Sequence, residues 1–230
     1  MDFSNIGFLL SVWILPVIIA VTLHEAAHGW IAYKLGDHTA FMLGRVSFNP
    51  AKHVDPFGTL IMPGLMLLLS GGKMMFGYAK PVPVNIRNMS NPRRDMVYVA
   101  AAGPGANILL AVLSALAFYI VPLLPQDVDL WVAHNLANSI RINIILCVFN
   151  LIPLPPLDGG RIAVGLLPDA LARPLANLER YGMLILLGMI FLVPYVGGLV
   201  GLNLNIFWYL VGIPAEYLTD FIIHAVGIAG

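Results

Sequence analysis

Charge is scarce in this chain. Only 10% of its 230 residues are charged, against about 25% in an ordinary soluble domain, while 59% are hydrophobic. So few polar groups cannot cover a globular surface, which leaves most of the exterior to face lipid. Neither sign of charge is in excess, because 12 Lys and Arg balance 12 Asp and Glu. That removes the overall basic field that nucleic acid would need. Cysteine is nearly absent: Cys147 stands alone in an apolar run, so no intrachain disulfide and no cysteine zinc site can form. No basic residue precedes the first apolar run, so that run is expected to stay in the protein rather than leave as a signal peptide. No internal repeat or low-complexity tract is evident.

What the chain does have is long apolar runs. Ile6 to Leu23 carries no charge over 18 residues, enough for a spanning helix. Its helical pattern continues through His24 and His28 to about Lys34, with Gly36 as a stop. Met96 to Leu124, Ile142 to Leu157, Met183 to Val193 and Leu204 to Ile223 supply four more runs. Phe57 to Leu69 is too short to span and is broken by Pro63-Gly64, as expected of a re-entrant segment. Re-entry also keeps Lys34, Arg45, Lys52, Lys73, Lys80, Arg87, Arg93 and Arg94 on one side, in accord with the positive-inside rule. The expected fold is an all-α polytopic membrane bundle of about five transmembrane helices and one re-entrant loop, six spans being the alternative. Its N-terminus lies outside and its C-terminus in the cytoplasm. The whole chain, 1–230, forms a single membrane domain, with a core over about 6–165 and C-terminal transmembrane helices over about 174–225. Phe41 to Asn49 and Tyr78 to Asn85 are rich in β-formers and are expected to form a small β element at the cytoplasmic face. The prolines of Lys80-Pro81-Val82-Pro83-Val84 confine the second stretch to an edge, because proline lacks the ladder donor.

The chemistry centres on His24-Glu25-Ala26-Ala27-His28. Histidines four apart on a helix project from one face, the geometry for two nitrogen ligands to Zn²⁺ with the glutamate beside a water to be activated. Two histidines and a glutamate are costly inside a membrane helix, which favours function over structural use. A catalytic zinc needs a third protein ligand and an open position. The candidates are Asp37, His38, His53, Asp55, Asp158, Glu179, Glu216, Asp220 and His224. Asp158 stands out, because a proline-rich, irregular segment closes its apolar run and two glycines follow it, allowing close backbone approach. An ordinary Asp-Gly helix stop is the plainer alternative. Asn107 and Asn150 are polar groups in apolar runs: each either donates to a substrate carbonyl and the oxyanion formed from it or bonds neighbouring helices. His53 stands by the short apolar segment, where it either gates the site or is structural. Glu216, Asp220 and His224 share one helix face near the chain end, where a polar interfacial stripe is the favoured reading over a second metal site.

Taken together, His24-Glu25-x-x-His28 and Asn150-x-x-Pro153-x-x-x-x-Asp158-Gly159 resemble the site-2 protease family of intramembrane zinc metalloproteases. Gly103-Pro104-x-x-Asn107 matches a third family element. The stretches from Gly44 to Gly58 and from Ala79 to Asn85 resemble its compact prokaryotic branch, without PDZ or CBS domain. The resemblance implies one zinc ion on His24, His28 and Asp158, and Glu25 as general base. It further implies cleavage of single-span membrane proteins or signal peptides near the cytoplasmic side of the cell membrane. Rival readings are a metal transporter or sensor and a non-catalytic scaffold that binds membrane proteins. Polar residues gathered towards one face argue against a through-path, and the intact Glu25 argues against a scaffold.

Overall fold

A computed structural model describes residues 3–69 and 77–228. Gly71-Gly72, which flank the short apolar segment, and the basic Lys73 lie outside the described residues. The fold is almost wholly helical. Helix α1 (Phe3–Lys34) is 32 residues long, about 48 Å at helical rise, so it can cross a ~30 Å hydrocarbon core and still project beyond it. It ends where Gly36 turns with φ +101°, a conformation glycine adopts without a Cβ penalty. A short helix α2 (Thr39–Met42) follows, then a π-helical turn (Pro56–Ile61) that runs into α3 (Met62–Leu69). The bundle continues with α4 (Pro92–Ala117) and α5 (Asp129–Asn150). Beyond it come α6 (Asp158–Leu166), α7 (Asp169–Asn177), α8 (Glu179–Leu187), α9 (Val193–Leu199) and α10 (Ile213–Val226).

Four helical stretches among the described residues are long and apolar enough to cross a membrane: Gly7–Lys34, Pro92–Leu123, Asp129–Asn150 and Glu179–Leu199. The expected fifth, Leu204 to Ile223, is not among them. Glu216 and Asp220 dilute its apolar character; the π-helical turn in it (Trp208–Gly212) has a counterpart, Gly188–Leu192, inside Glu179–Leu199. It nevertheless joins the bundle. Ala215 and Ile222 of α10 pack with Ala111 and Ala115 of α4 and with Ile140 and Ile144 of α5. Small residues at such contacts let helix backbones approach where lipid offers no hydrophobic drive between helices.

No strand forms among the described residues. Part of Phe41 to Asn49, expected to be extended, is taken by α2, whose Thr39 amide and hydroxyl are both held by Asp37. Tyr78 to Asn85 is extended but has no ladder partner, as the missing donors of Pro81 and Pro83 dictate. Individual side chains and carbonyls hold it instead. The π-helical turn is tied to its start: Asp55 accepts from Gly58 N–H at 2.6 Å, Tyr78 N–H donates to Gly58 O at 3.0 Å, and Thr59 Oγ1 donates to Tyr78 O at 2.9 Å.

Candidate metal centre

α1, α4 and α6 meet at one buried point. The α1 face supplies His24 and His28, which are 6% and 7% exposed. Gly103 of α4 faces them. A Cβ built there would lie 2.6 Å from His24 Nε2 and would also strike His28 Nε2, so only a bare backbone permits this contact. Asp158, 5% exposed, opens α6. It is brought back to α1 by the proline-rich turn before it, onto which Gly159 and Gly160 press: Cβ atoms at these positions would collide with the backbone of Leu151 and Pro155. The glycines after Asp158 therefore allow α6 to fold over its own lead-in.

Each histidine is fixed through Nδ1. His28 Nδ1 lies 2.7 Å from the Val99 carbonyl, and His24 Nδ1 lies 2.6 Å from Asn107 Oδ1. A carbonyl can only accept, so His28 carries its proton on Nδ1, and Nε2 of the neutral ring is a bare lone pair. The amide of Asn107 assigns the same tautomer to His24: Nδ2 donates to Asn143 Oδ1 at 2.8 Å, which leaves Oδ1 towards the ring. Asn143 Nδ2 in turn donates to Ser139 O at 2.9 Å, and Ser139 meets Ser114 of α4 at 2.7 Å. This chain of amides and hydroxyls locks the ligand's orientation, as supporting hydrogen bonds do around metal-binding histidines.

The two Nε2 atoms are 3.1 Å apart, and Asp158 Oδ2 lies 3.2 Å from His24 Nε2 and 3.3 Å from His28 Nε2. Three lone pairs thus converge. Asp158 Oδ2 is buried without a hydrogen-bond donor. Ligand atoms of a tetrahedral zinc site, with bonds of about 2.0–2.1 Å, are separated by roughly 3.3–3.4 Å. The triangle fits that spacing, and His₂-carboxylate is a donor set of catalytic zinc. No other His, Cys, Asp and Glu group among the described residues converges in this way.

The triad opens onto a cavity of about 490 Å³, lined also by Glu25, Tyr78, Val82, Val84, Asn150 and Arg161. Glu25 Oε2 accepts from Val82 N–H at 2.8 Å. Asn150 lines the cavity and uses one amide hydrogen on Leu146 O at 3.0 Å. Asn107 is placed otherwise: it is fully buried behind His24, with both ends of its amide engaged. His53 is buried outside the cavity lining, its Nε2 donating to Ser47 O at 2.9 Å. Glu216, Asp220 and His224 remain exposed on α10, with His224 Nδ1 turned to the Asp220 carbonyl at 2.7 Å. Sequence reasoning passed over Asn143 and Val82. A second asparagine seven residues before Asn150 in an apolar run was the available signal for the first; a backbone amide gives none.

The similarities of the chain agree with this geometry. The description peptidase family M50 matches residues 12–140 and, in a second match, 126–194. YwhC of Bacillus subtilis, provisionally named a zinc metalloprotease, is 37% identical over 192 residues, covering 81% of this chain and 82% of that protein. Rip2 of Mycobacterium tuberculosis H37Rv, also provisionally named a zinc metalloprotease, is 30% identical over 181 residues, or 79% of this chain and 66% of Rip2. Rip2 of Mycolicibacterium smegmatis is 30% identical over 172 residues, covering 73% of this chain and 62% of that protein. The chain thus spans slightly less than two thirds of either Rip2. No solved structure matches it. With most of its length matched by one family, the chain belongs to peptidase family M50, the site-2 proteases that its paired motifs resemble.

Proposed function

We propose that this chain hydrolyses peptide bonds in transmembrane segments of membrane proteins, with one zinc ion held by His24, His28 and Asp158 and with Glu25 as general base. The observation that carries the reading is the buried triangle of two bare Nε2 atoms and one donor-free carboxylate oxygen. Zinc bound there supplies Lewis acidity, bringing the pKa of water towards neutrality and polarising a carbonyl. Glu25 lines the same cavity, takes the proton of the attacking water and returns it to the leaving amine. Asn150 donates to the oxygen on which charge develops, while Asn107 keeps His24 in its ligand tautomer.

A helical substrate hides its carbonyls, so the scissile segment must unwind. Val82 and Val84 line the cavity; the Val82 N–H is taken by Glu25, and the Val84 backbone offers pairing to an unwound chain. The basic loops support a topology with the N-terminus outside and the centre near the cytoplasmic side. Single-span proteins and leftover signal peptides are the substrates that suit a cavity opening within the bundle. Protein reconstituted with a labelled single-span substrate provides the test. Glu25→Gln is expected to abolish cleavage, a loss of about 10²–10⁴-fold, while zinc stays bound. Metal flux without cleavage, or cleavage unchanged in Glu25→Gln, would refute the proposal.

A further inference from the structure

Asp37 stands just beyond the end of α1 and is fully buried, yet it belongs neither to the metal triangle nor to the cavity lining. Its carboxylate collects four donors. Thr39 N–H at 3.1 Å and Thr39 Oγ1 at 2.5 Å come from its own turn. Asn85 N–H at 2.6 Å comes from the far end of the extended segment, and Asn88 Nδ2 at 2.8 Å from the 3-10 turn (Ile86–Asn88) that follows it. A carboxylate that only capped α2 would need the first pair alone. Half of its bonding capacity is spent on a distant piece of chain.

That piece is fastened at its other end as well. Lys80 N–H donates to His53 O at 2.9 Å, and Arg45 Nη2 donates to Lys80 O at 2.7 Å and to Pro81 O at 3.3 Å. Between the two fastenings, Val82 N–H holds Glu25 Oε2 at 2.8 Å. The Val82 side chain rests on bare Gly29 of α1, where a built Cβ would lie 3.1 Å from Val82 Cγ1. Only Pro83 and Val84 separate Val82 from Asn85, and the Pro83 ring fixes its φ. A shift at Asn85 therefore passes to Val82, and a displacement of about 1 Å would break a 2.8 Å hydrogen bond.

We propose that Asp37 is a positioning residue for the hydrolytic reaction. By clamping Asn85 it holds Val82 N–H against one oxygen of Glu25, so that the other oxygen is directed to the attacking water. The proposal rests on the assignment of Glu25 as general base. Asp37 touches no reacting atom and acts through the backbone of the segment between them.

The experiment compares wild type, Glu25→Gln, Asp37→Ala and the isosteric Asp37→Asn as full chains reconstituted in lipid. It measures kcat on a labelled single-span substrate, zinc per chain, thermal midpoint, and the mobility of a nitroxide placed at exposed Arg87→Cys in a Cys147→Ala background. Asp37→Ala should lower kcat at least tenfold and loosen the nitroxide while zinc per chain stays unchanged, with Asp37→Asn falling between it and wild type. Asp37→Asn also decides the matter if the alanine variant fails to fold. A kcat within twofold of wild type in a folded variant overturns the proposal, as does a loss that follows zinc or thermal stability in proportion. If wild type cleaves, Glu25→Gln does not, and the Asp37 variants cleave normally, this proposal alone fails. No cleavage by wild type removes the protease reading and this proposal with it.

Discussion

Replacing Gly103 by alanine should release the metal while leaving the helices in place. The added methyl would sit 2.6 Å from His24 Nε2 and closer still to His28 Nε2, where ordinary van der Waals contact begins at 3.4 Å, so the helices or the rings must yield by at least about 0.8 Å. Metal–ligand distances tolerate only about 0.2 Å. Backing α4 away does not rescue the site. Val99 and Asn107, four residues before and after Gly103, lie on the same helix face and hold His28 and His24 at 2.7 and 2.6 Å. A separation of about 0.8 Å would stretch both bonds to roughly 3.5 Å, the limit for a hydrogen bond. Overpacking costs about 1–3 kcal/mol and each lost hydrogen bond about 0.5–1.5 kcal/mol. The sum, about 2–6 kcal/mol, corresponds to a zinc affinity at least ~30-fold weaker. Chelator competition on purified protein measures it, with Gly105→Ala as control because nothing lies within 4 Å of a Cβ there. Wild-type affinity in Gly103→Ala would refute the close-approach reasoning.

Other perturbations test separate parts of the structure. Asn107→Ala frees His24 Nδ1 and should weaken zinc binding by about 10–100-fold in the same competition assay. Burial alone would push the Asp37 carboxyl up, but its bonds from Thr39, Asn85 and Asn88 outweigh this and hold it below the ordinary value of 3.8. A depressed folded-state pKa gives stability that is present above that value and lost as pH falls through the lower one. Melting curves of wild type and Asp37→Asn should therefore differ at pH 6 and converge only below about pH 4. Gly182→Ala directs a methyl into the backbone oxygen of Pro155, which cannot swing aside, and should lower the thermal midpoint. Gly188→Ala, with open space around its Cβ, should leave the midpoint unchanged.

The three side chains that converge, His24, His28 and Asp158, were legible in sequence because their geometry is local or punctuated. The i, i+4 spacing puts His24 and His28 on one face whatever surrounds them, and the Pro/Gly-rich stretch marks where an apolar run ends at Asp158. Asn107 was only half legible. Its polarity in an apolar run says that it must find partners, but whether these are substrate or protein depends on which face of α5 meets α4, and helix packing alone sets that. The extended segment was legible from its prolines, whereas its fastenings were not, since Asp37, Arg45 and His53 reach it from distant positions. Sequence read the Phe41 to Asn49 stretch as extended because β-formers dominate it. The turn after Gly36 and the Asp37–Thr39 bonds overrode that preference by starting α2. The last apolar run was read as a span by composition, but Glu216 and Asp220 interrupt it, and it is not among the four stretches long and apolar enough to cross.

The polar chain behind His24 has a consequence for the bilayer itself. Asn107, Asn143, Ser139 and Ser114 are amides and hydroxyls, and Asn138, bonded to the Val12 carbonyl at 2.9 Å, extends the series along α5. None of these groups gains or loses a proton at physiological pH. Carboxylates or imidazoles in the same positions would form the kind of relay that pumps use to carry protons across a membrane. Built from amides and hydroxyls, the interior is polar enough to steer a ligand with no titrating side chain in the series. The series can therefore hold the imidazole of His24 in one orientation without adding a charge or a titrating side chain to the interior of the bundle.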